Sequence, residues 1–339
     1  MPCISAISGD LLQRGCDAVA LFGTTGEGPA FTVAERRAGL ERALDAGIAP
    51  ERLVVAAMSA APGDVLELCR HAASAGITRL LVMPPFFFRG AASPDGLLRF
   101  YGDLVEALGD DRLRLMLYHF PDMSGAMITA ELALELRRRF GAVIDGIKDS
   151  AGDLEASLAL IRALPDMRVL VGTEVHLPAA VAAGGGGTIC GLANVAPELV
   201  RALMLTTEPA EISNLTARLD ALDALLSAAP FAASLKAMLA LTTGRPGWAL
   251  PQAPGSARRR GDVASSGRAA PDGSPRRPKR RSPDCDFRRL PRNQAGVSFN
   301  QARTRASAAV RPRRRQFGVP VRAVASSPAA KPSSTAGST

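Results

Sequence analysis

Aromatic residues are scarce in this 339-residue chain, at 4% of the total, with two tyrosines and one tryptophan. The three histidines, His71, His119 and His176, share no metal-ligand spacing, so a histidine-built metal site is not expected. The five cysteines, Cys3, Cys16, Cys69, Cys190 and Cys285, are odd in number and scattered. That argues against a disulfide framework or a zinc knuckle, and a reducing cytoplasm is the expected setting. No apolar run reaches the roughly 18 residues a membrane span needs. The opening MPCISAISGDLLQRG has no basic stretch followed by an apolar one, so no secretory leader is expected either.

Hydrophobic residues make up 47% and charged residues 22%, enough to bury a sizeable core. The net charge of +9 hides two unlike parts. Residues 251–339 carry 20 Lys+Arg against 4 Asp+Glu, a net +16, whereas residues 1–250 carry 21 against 28, a net −7.

The expected division is therefore a folded body over 1–248 and a disordered Arg/Pro-rich tail over 249–339. The tail holds PRRPKRR at 275–281 and RPRRR at 311–315, and shows no helical or strand periodicity. High charge with few large apolar residues does not offset the entropy of ordering a chain. Bulk Arg, Pro, Ala, Gly and Ser is also what a shifted reading frame in GC-rich DNA yields. A nucleic-acid role is not favoured. Phe287, Phe299 and Phe317 are too few for a base-stacking platform.

The body alternates short apolar runs with amphipathic stretches. Strands are expected at 18–22, 53–57, 79–83, 114–120, 143–148, 169–172 and 188–191. Helices are expected at 32–47, 62–75, 93–108, 129–139, 153–164, 175–183, 197–205, 209–227 and 231–242. Thr32 is a candidate N-cap, with Glu35 completing a capping box. Apolar strands of four to six residues between such helices are parallel strands buried on both faces. A doubly wound sheet and a (β/α)8 barrel both fit. Polar and special residues cluster just past the strand ends, which is where barrel enzymes build their sites.

Lys148 stands out among them, in GIKDS at the end of an apolar strand. Burial there favours a neutral amine, which can attack a ketone and form a Schiff base. The alternative is an ion pair with Asp149 or Glu174. Tyr118 ends the preceding strand, in LYHFP, where a phenol can shuttle protons beside a reactive amine. The alternative is a buried tyrosine with a satisfied hydroxyl. The segment Gly23-Thr24-Thr25-Gly26-Glu27 lies between a strand and a helix, and its N–H groups and hydroxyls can hold a carboxylate. It is neither a Walker loop nor a dinucleotide fingerprint. Cys190 reads as a small buried residue within the last strand, and Gly184 to Gly187 as a flexible connection ahead of it.

Taken together, GTTGE at 23–27, PPFFF at 84–88, YHFP at 118–121, GIKDS at 146–150 and GTICGLANV at 187–195 resemble the dihydrodipicolinate synthase/N-acetylneuraminate lyase family. The order and spacing match over roughly residues 9–248. The resemblance implies a (β/α)8 TIM barrel with extra C-terminal helices, assembled as a homotetramer. It implies class I aldolase chemistry on pyruvate or a 2-keto-3-deoxy sugar acid, with no metal and no cofactor beyond the covalent Schiff base on Lys148. By position, Tyr118 becomes the proton shuttle, hydrogen-bonded to Thr24. Thr25 and its neighbouring backbone N–H bind the keto-acid carboxylate. Gly172 and Ile189 line the site by backbone, and Thr173 and Glu174 face the variable end of the substrate.

Three departures accompany the resemblance. Met123 stands where the synthase branch has an arginine that clamps a second carboxylate. Phe87 stands where that branch lends a tyrosine to a neighbouring subunit. Both favour a sugar-acid lyase over a 4-hydroxy-tetrahydrodipicolinate synthase. The family's first strand, with its Thr-Pro motif, has no counterpart ahead of the helix near Ile4. That leaves seven strands, and a catalytically impaired barrel remnant becomes a competing expectation.

Overall fold

The computed structural model describes residues 3–245 and residue 248. The basic tail expected over 249–339 lies outside the described residues. Seven parallel strands alternate with helices. They are β1 (Val19–Leu21), β2 (Leu53–Ala57), β3 (Arg79–Val82), β4 (Arg114–His119), β5 (Ile144–Asp149), β6 (Arg168–Val171) and β7 (Gly187–Thr188). They form one curled sheet in the order β1-β2-β3-β4-β5-β6-β7, every neighbouring pair parallel. This is the sequential order of a (β/α) barrel, with seven strands among the described residues. β1 and β7 are the two ends of that order.

Helices α1 (Cys3–Gln13), α2 (Val33–Asp45), α3 (Pro62–Ser74), α4 (Pro94–Leu108), the single turn α5 (Pro121–Ser124), α6 (Ala130–Phe140), α7 (Leu154–Ala163), α8 (Leu177–Ala182) and α9 (Pro197–Leu205) alternate with the strands. Then α10 (Pro209–Leu226) and α11 (Phe231–Thr243) extend the chain. Their starts are written in the sequence. Thr32 and Glu35 exchange the two bonds of a capping box. Ser93, Thr129 and Asp153 accept backbone N–H groups at the starts of α4, α6 and α7. Each cap satisfies a donor that the first helical turn cannot use internally.

Two sequence expectations shift. The helix expected over 175–183 is a 3₁₀ turn at Glu174–His176 followed by α8. Pro178 lies in the first turn of α8, where a missing N–H costs nothing. The strand expected over 188–191 is shorter. Ile189 still donates its N–H to the Val171 carbonyl at 3.2 Å, but Cys190 lies past the ladder. The chain then enters a 3₁₀ turn at Leu192–Asn194.

The strands are almost wholly buried, as parallel strands covered on both faces must be. Leu53, Val55, Leu80, Leu115 and Ile147 are among the core residues, with Leu40, Leu68, Leu136 and Leu177 from the helices. The two ends of the strand order meet through the helix layer. Arg14, just after α1, donates to Glu198 of α9 at 2.6 Å and to the Val195 carbonyl at 3.2 Å. Arg201 of α9 donates back to the Gly15 carbonyl at 2.9 Å. Among the described residues no single helix is long and apolar enough to cross a membrane. The pair α10 and α11 passes by length and composition but is bent by 104°.

Candidate active site

The site is built where β1, β4 and β5 end. In the β4–β5 ladder Tyr118 lies opposite Lys148, and His119 opposite Asp149. Lys148 and Tyr118 are each 1% exposed. The Lys148 Nζ donates to the Tyr118 hydroxyl at 3.0 Å and sits 4.2 Å from the centre of its ring. The Tyr118 and Thr24 hydroxyls are 3.2 Å apart. The structure brings Lys148, Tyr118 and Thr24 together in one continuous hydrogen-bonded run. Among the described residues no ion pair includes Lys148. Asp149 and Glu174 spend their carboxylates elsewhere.

The loop after β1 is held in an unusual shape. Phe22 has φ 63° and Glu27 has φ 54°, the left-handed region that bulky side chains avoid. Such a backbone costs about 1–3 kcal/mol and persists only when its surroundings hold it. Here Gly28 donates to the Gly23 carbonyl at 3.0 Å and Glu27 to the Thr24 carbonyl at 3.0 Å. A Cβ on Gly28 would collide with the Phe22 carbonyl, so only glycine fits. From α11, Lys236 reaches the Glu27 carboxylate at 2.8 Å. Within this braced loop the Thr25 Oγ1 is buried and has no hydrogen-bond partner among the described residues. A buried hydroxyl left free at this position is a ready contact for an incoming oxygen atom.

The remaining expected residues surround this run. Gly172 follows β6, donates to the Asp149 carbonyl at 2.7 Å, and leaves no room for a Cβ beside the Ser150 hydroxyl. Thr173, Glu174 and Ile189 are all buried. The Glu174 Oε1 accepts the Leu192 N–H at 2.9 Å, which ties the turn after β6 to the turn after β7. Burial pushes the Glu174 carboxyl above its ordinary range, against the help of that N–H. Cys190 is fully buried and its thiol is pushed well up by burial and the nearby Glu174. That is the environment of an inert packing residue. Among the described residues no three His, Cys, Asp or Glu side chains gather in a metal-binding group.

Met123 is partly buried in α5, and Phe87 is 78% exposed. Arg89, two residues beyond Phe87, donates to the Asp122 carbonyl at 2.7 Å. One group lay outside the sequence reading. The Asp149 carboxylate accepts from His119, Ala151 and Ser157 directly behind the lysine–tyrosine pair. Strand alternation carries the signal, since residues 119 and 149 must face away from 118 and 148.

A parallel (β/α) sheet in sequential order carries a buried lysine and tyrosine side by side at the carboxyl ends of adjacent strands, the architecture of a barrel-type protein. The dihydrodipicolinate synthetase family model matches residues 3–255, and the chain belongs to that family. An uncharacterized DapA-like lyase of Chloroflexus aurantiacus is 35% identical over 243 residues, 71% of this chain and 80% of that protein. The 2-dehydro-3-deoxy-D-gluconate/2-dehydro-3-deoxy-phosphogluconate aldolase of Thermoproteus tenax is 30% identical over 191 residues. That match spans 56% of this chain and 58% of the aldolase. The crystal structure of dihydrodipicolinate synthase from Agrobacterium tumefaciens superposes with a TM-score of 0.65 at 31% identity. It covers 77% of this chain and 86% of that one.

Proposed function

We propose that the chain is a Schiff-base lyase or aldolase acting on pyruvate or a 2-keto-3-deoxy sugar acid. The observation that carries the reading is the buried run Lys148–Tyr118–Thr24 beside the unpartnered Thr25 hydroxyl. The Thr25 Oγ1 and the loop N–H groups receive the substrate carboxylate. That sets the keto carbon against the Lys148 Nζ. The amine attacks and gives a carbinolamine. Tyr118 hands a proton to the departing hydroxyl and takes one from nitrogen, with Thr24 as the next hydroxyl in the relay. Water leaves and the imine remains.

In the cleavage direction the C4 hydroxyl loses its proton and the C3–C4 bond breaks. The electron pair moves into the imine and yields an enamine and a free aldehyde. Protonation at C3 and hydrolysis release pyruvate and restore the amine. Gly172 and Ile189 present backbone to the bound acid, and Thr173 and Glu174 lie toward its variable end. Met123 in place of a cation on α5 favours a hydroxylated sugar acid over a second carboxylate, and so over the synthase reaction. The test is release of pyruvate from 2-keto-3-deoxygluconate, followed with a coupled lactate dehydrogenase assay. Absence of release with all such acids, together with no covalent pyruvate adduct, would contradict the reading.

A further inference from the structure

Behind the lysine–tyrosine pair, the same two strands supply a second pair. Side chains alternate between the faces of a strand, so Tyr118 and Lys148 face one way and His119 and Asp149 the other. His119, Asp149 and Ser157 are all buried. The His119 Nδ1 lies 3.0 Å from Asp149 Oδ1. Ser157, in the helix after β5, donates to Asp149 Oδ2 at 2.5 Å, and the Ala151 N–H donates to Oδ1 at 3.0 Å. Burial pushes the Asp149 carboxyl up, but the bonds from His119 and Ser157 outweigh it and hold the group below its ordinary range. Asp149 is thus an anion, and it fixes Nδ1 as the proton-bearing nitrogen of His119. The other nitrogen, Nε2, is buried with no partner among the described residues. The ring is therefore held from one side, through Asp149.

We propose that His119 and Asp149 are positioning residues: their side-chain bond, anchored to α7 by Ser157, locks the last rung of the β4–β5 ladder and so sets the approach of the Tyr118 hydroxyl to the Lys148 amine. Neither residue touches substrate. The lock acts at the point where β4 ends, because the backbone of residue 119 is also bonded onward: Ser150 donates its N–H to the His119 carbonyl at 2.8 Å. Freeing the side-chain bond lets residues 118 and 148 drift, and a misplacement of about 1 Å at a reacting pair lowers rate by about two orders of magnitude. The proposal rests on the imine reading for its catalytic consequence, but not for its geometric one.

The chain has only two tyrosines, Tyr101 and Tyr118. Protein labelled with 13C at the tyrosine ring carbon bearing oxygen therefore gives two resonances, which Tyr118→Phe assigns. In His119→Phe, which keeps a ring and loses the donor, the Tyr118 resonance should move. The Tyr101 resonance, whose hydroxyl is bonded to the Val82 carbonyl at 3.0 Å, should stay. Borohydride trapping of pyruvate should slow by about 10- to 100-fold. His119→Asn places an amide on the same Cγ as Nδ1 and should return both readings close to wild type. A folded His119→Phe with an unmoved Tyr118 resonance overturns the proposal, and so does a His119→Asn that behaves like the phenylalanine variant. If His119→Phe does not fold, Ser157→Ala decides. It removes one anchor of Asp149 and should move the same resonance by a smaller amount, and an unmoved resonance overturns the proposal. Should the wild type trap no pyruvate, the imine reading fails while the resonances still decide the positioning claim.

Discussion

Lys148 and Tyr118 occupy the same rung of adjacent parallel strands, and the lysine amine donates to the tyrosine hydroxyl at 3.0 Å. Among the described residues the amine has no ion-pair partner. Its neighbours are a phenol, that phenol's ring and, one hydroxyl further, Thr24. In the proposed reaction Lys148 is the nucleophile and Tyr118 the proton carrier in contact with it.

Removing the carrier should slow chemistry more than binding. Tyr118→Phe keeps the ring in the core and deletes the hydroxyl that Lys148 and Thr24 share. Imine formation should slow by about 10²- to 10⁴-fold. The pyruvate concentration that half-saturates trapping should change little. Timed borohydride quenching over a pyruvate series reads both quantities.

Thr25→Val should do the reverse. A hydrogen bond to a charged group contributes roughly 1.5–3 kcal/mol, so half-saturating pyruvate should rise about tenfold or more, with the trapping rate at saturation preserved. The free protein should lose no stability, because the Thr25 hydroxyl has no partner among the described residues to lose. A thermal melt without ligand that drops by several degrees would show that the hydroxyl is structural.

Glu174 sets a pH dependence of stability. Burial raises its carboxyl above the ordinary 4.5 in the folded chain. A raised pKa means that the folded state favours the protonated form. The associated stability is fully present below pH 4.5 and is lost as pH rises through the folded value. Glutamine stays neutral, and its carbonyl can still accept the Leu192 N–H. Glu174→Gln should therefore melt above wild type at pH 8, with the gap closing toward pH 4. A variant that melts lower at pH 8 would show that the carboxylate is ionised and well served where it lies.

Much of this arrangement is legible in residues. The runs LVVAA and RLLVM leave little choice but buried parallel strands, and Thr32 with Glu35 announces the start of α2. Lys148 and Tyr118 are recognisable because each is a polar residue ending an apolar strand. Other features depend on partners far away in the chain. Glu174 reads as a substrate-facing residue, and what the residues do not announce is that its carboxylate also meets the Leu192 N–H, a contact made only when the turns after β6 and β7 come together. Lys236 reaches Glu27 across more than two hundred residues, and no local pattern marks either as a partner. Asp149 reads as a possible ion-pair partner of Lys148 by proximity in sequence, when strand alternation turns it to the opposite face, toward His119 and Ser157.

The most direct test of the proposed chemistry is intact-mass spectrometry of the purified chain after incubation with pyruvate and borohydride, with peptide mapping of the product. The expected result is one reduced pyruvate adduct per chain, on Lys148, and none in Lys148→Ala. A folded chain, verified by circular dichroism on the same sample, that gains no adduct or gains it at another lysine would contradict the Schiff-base assignment.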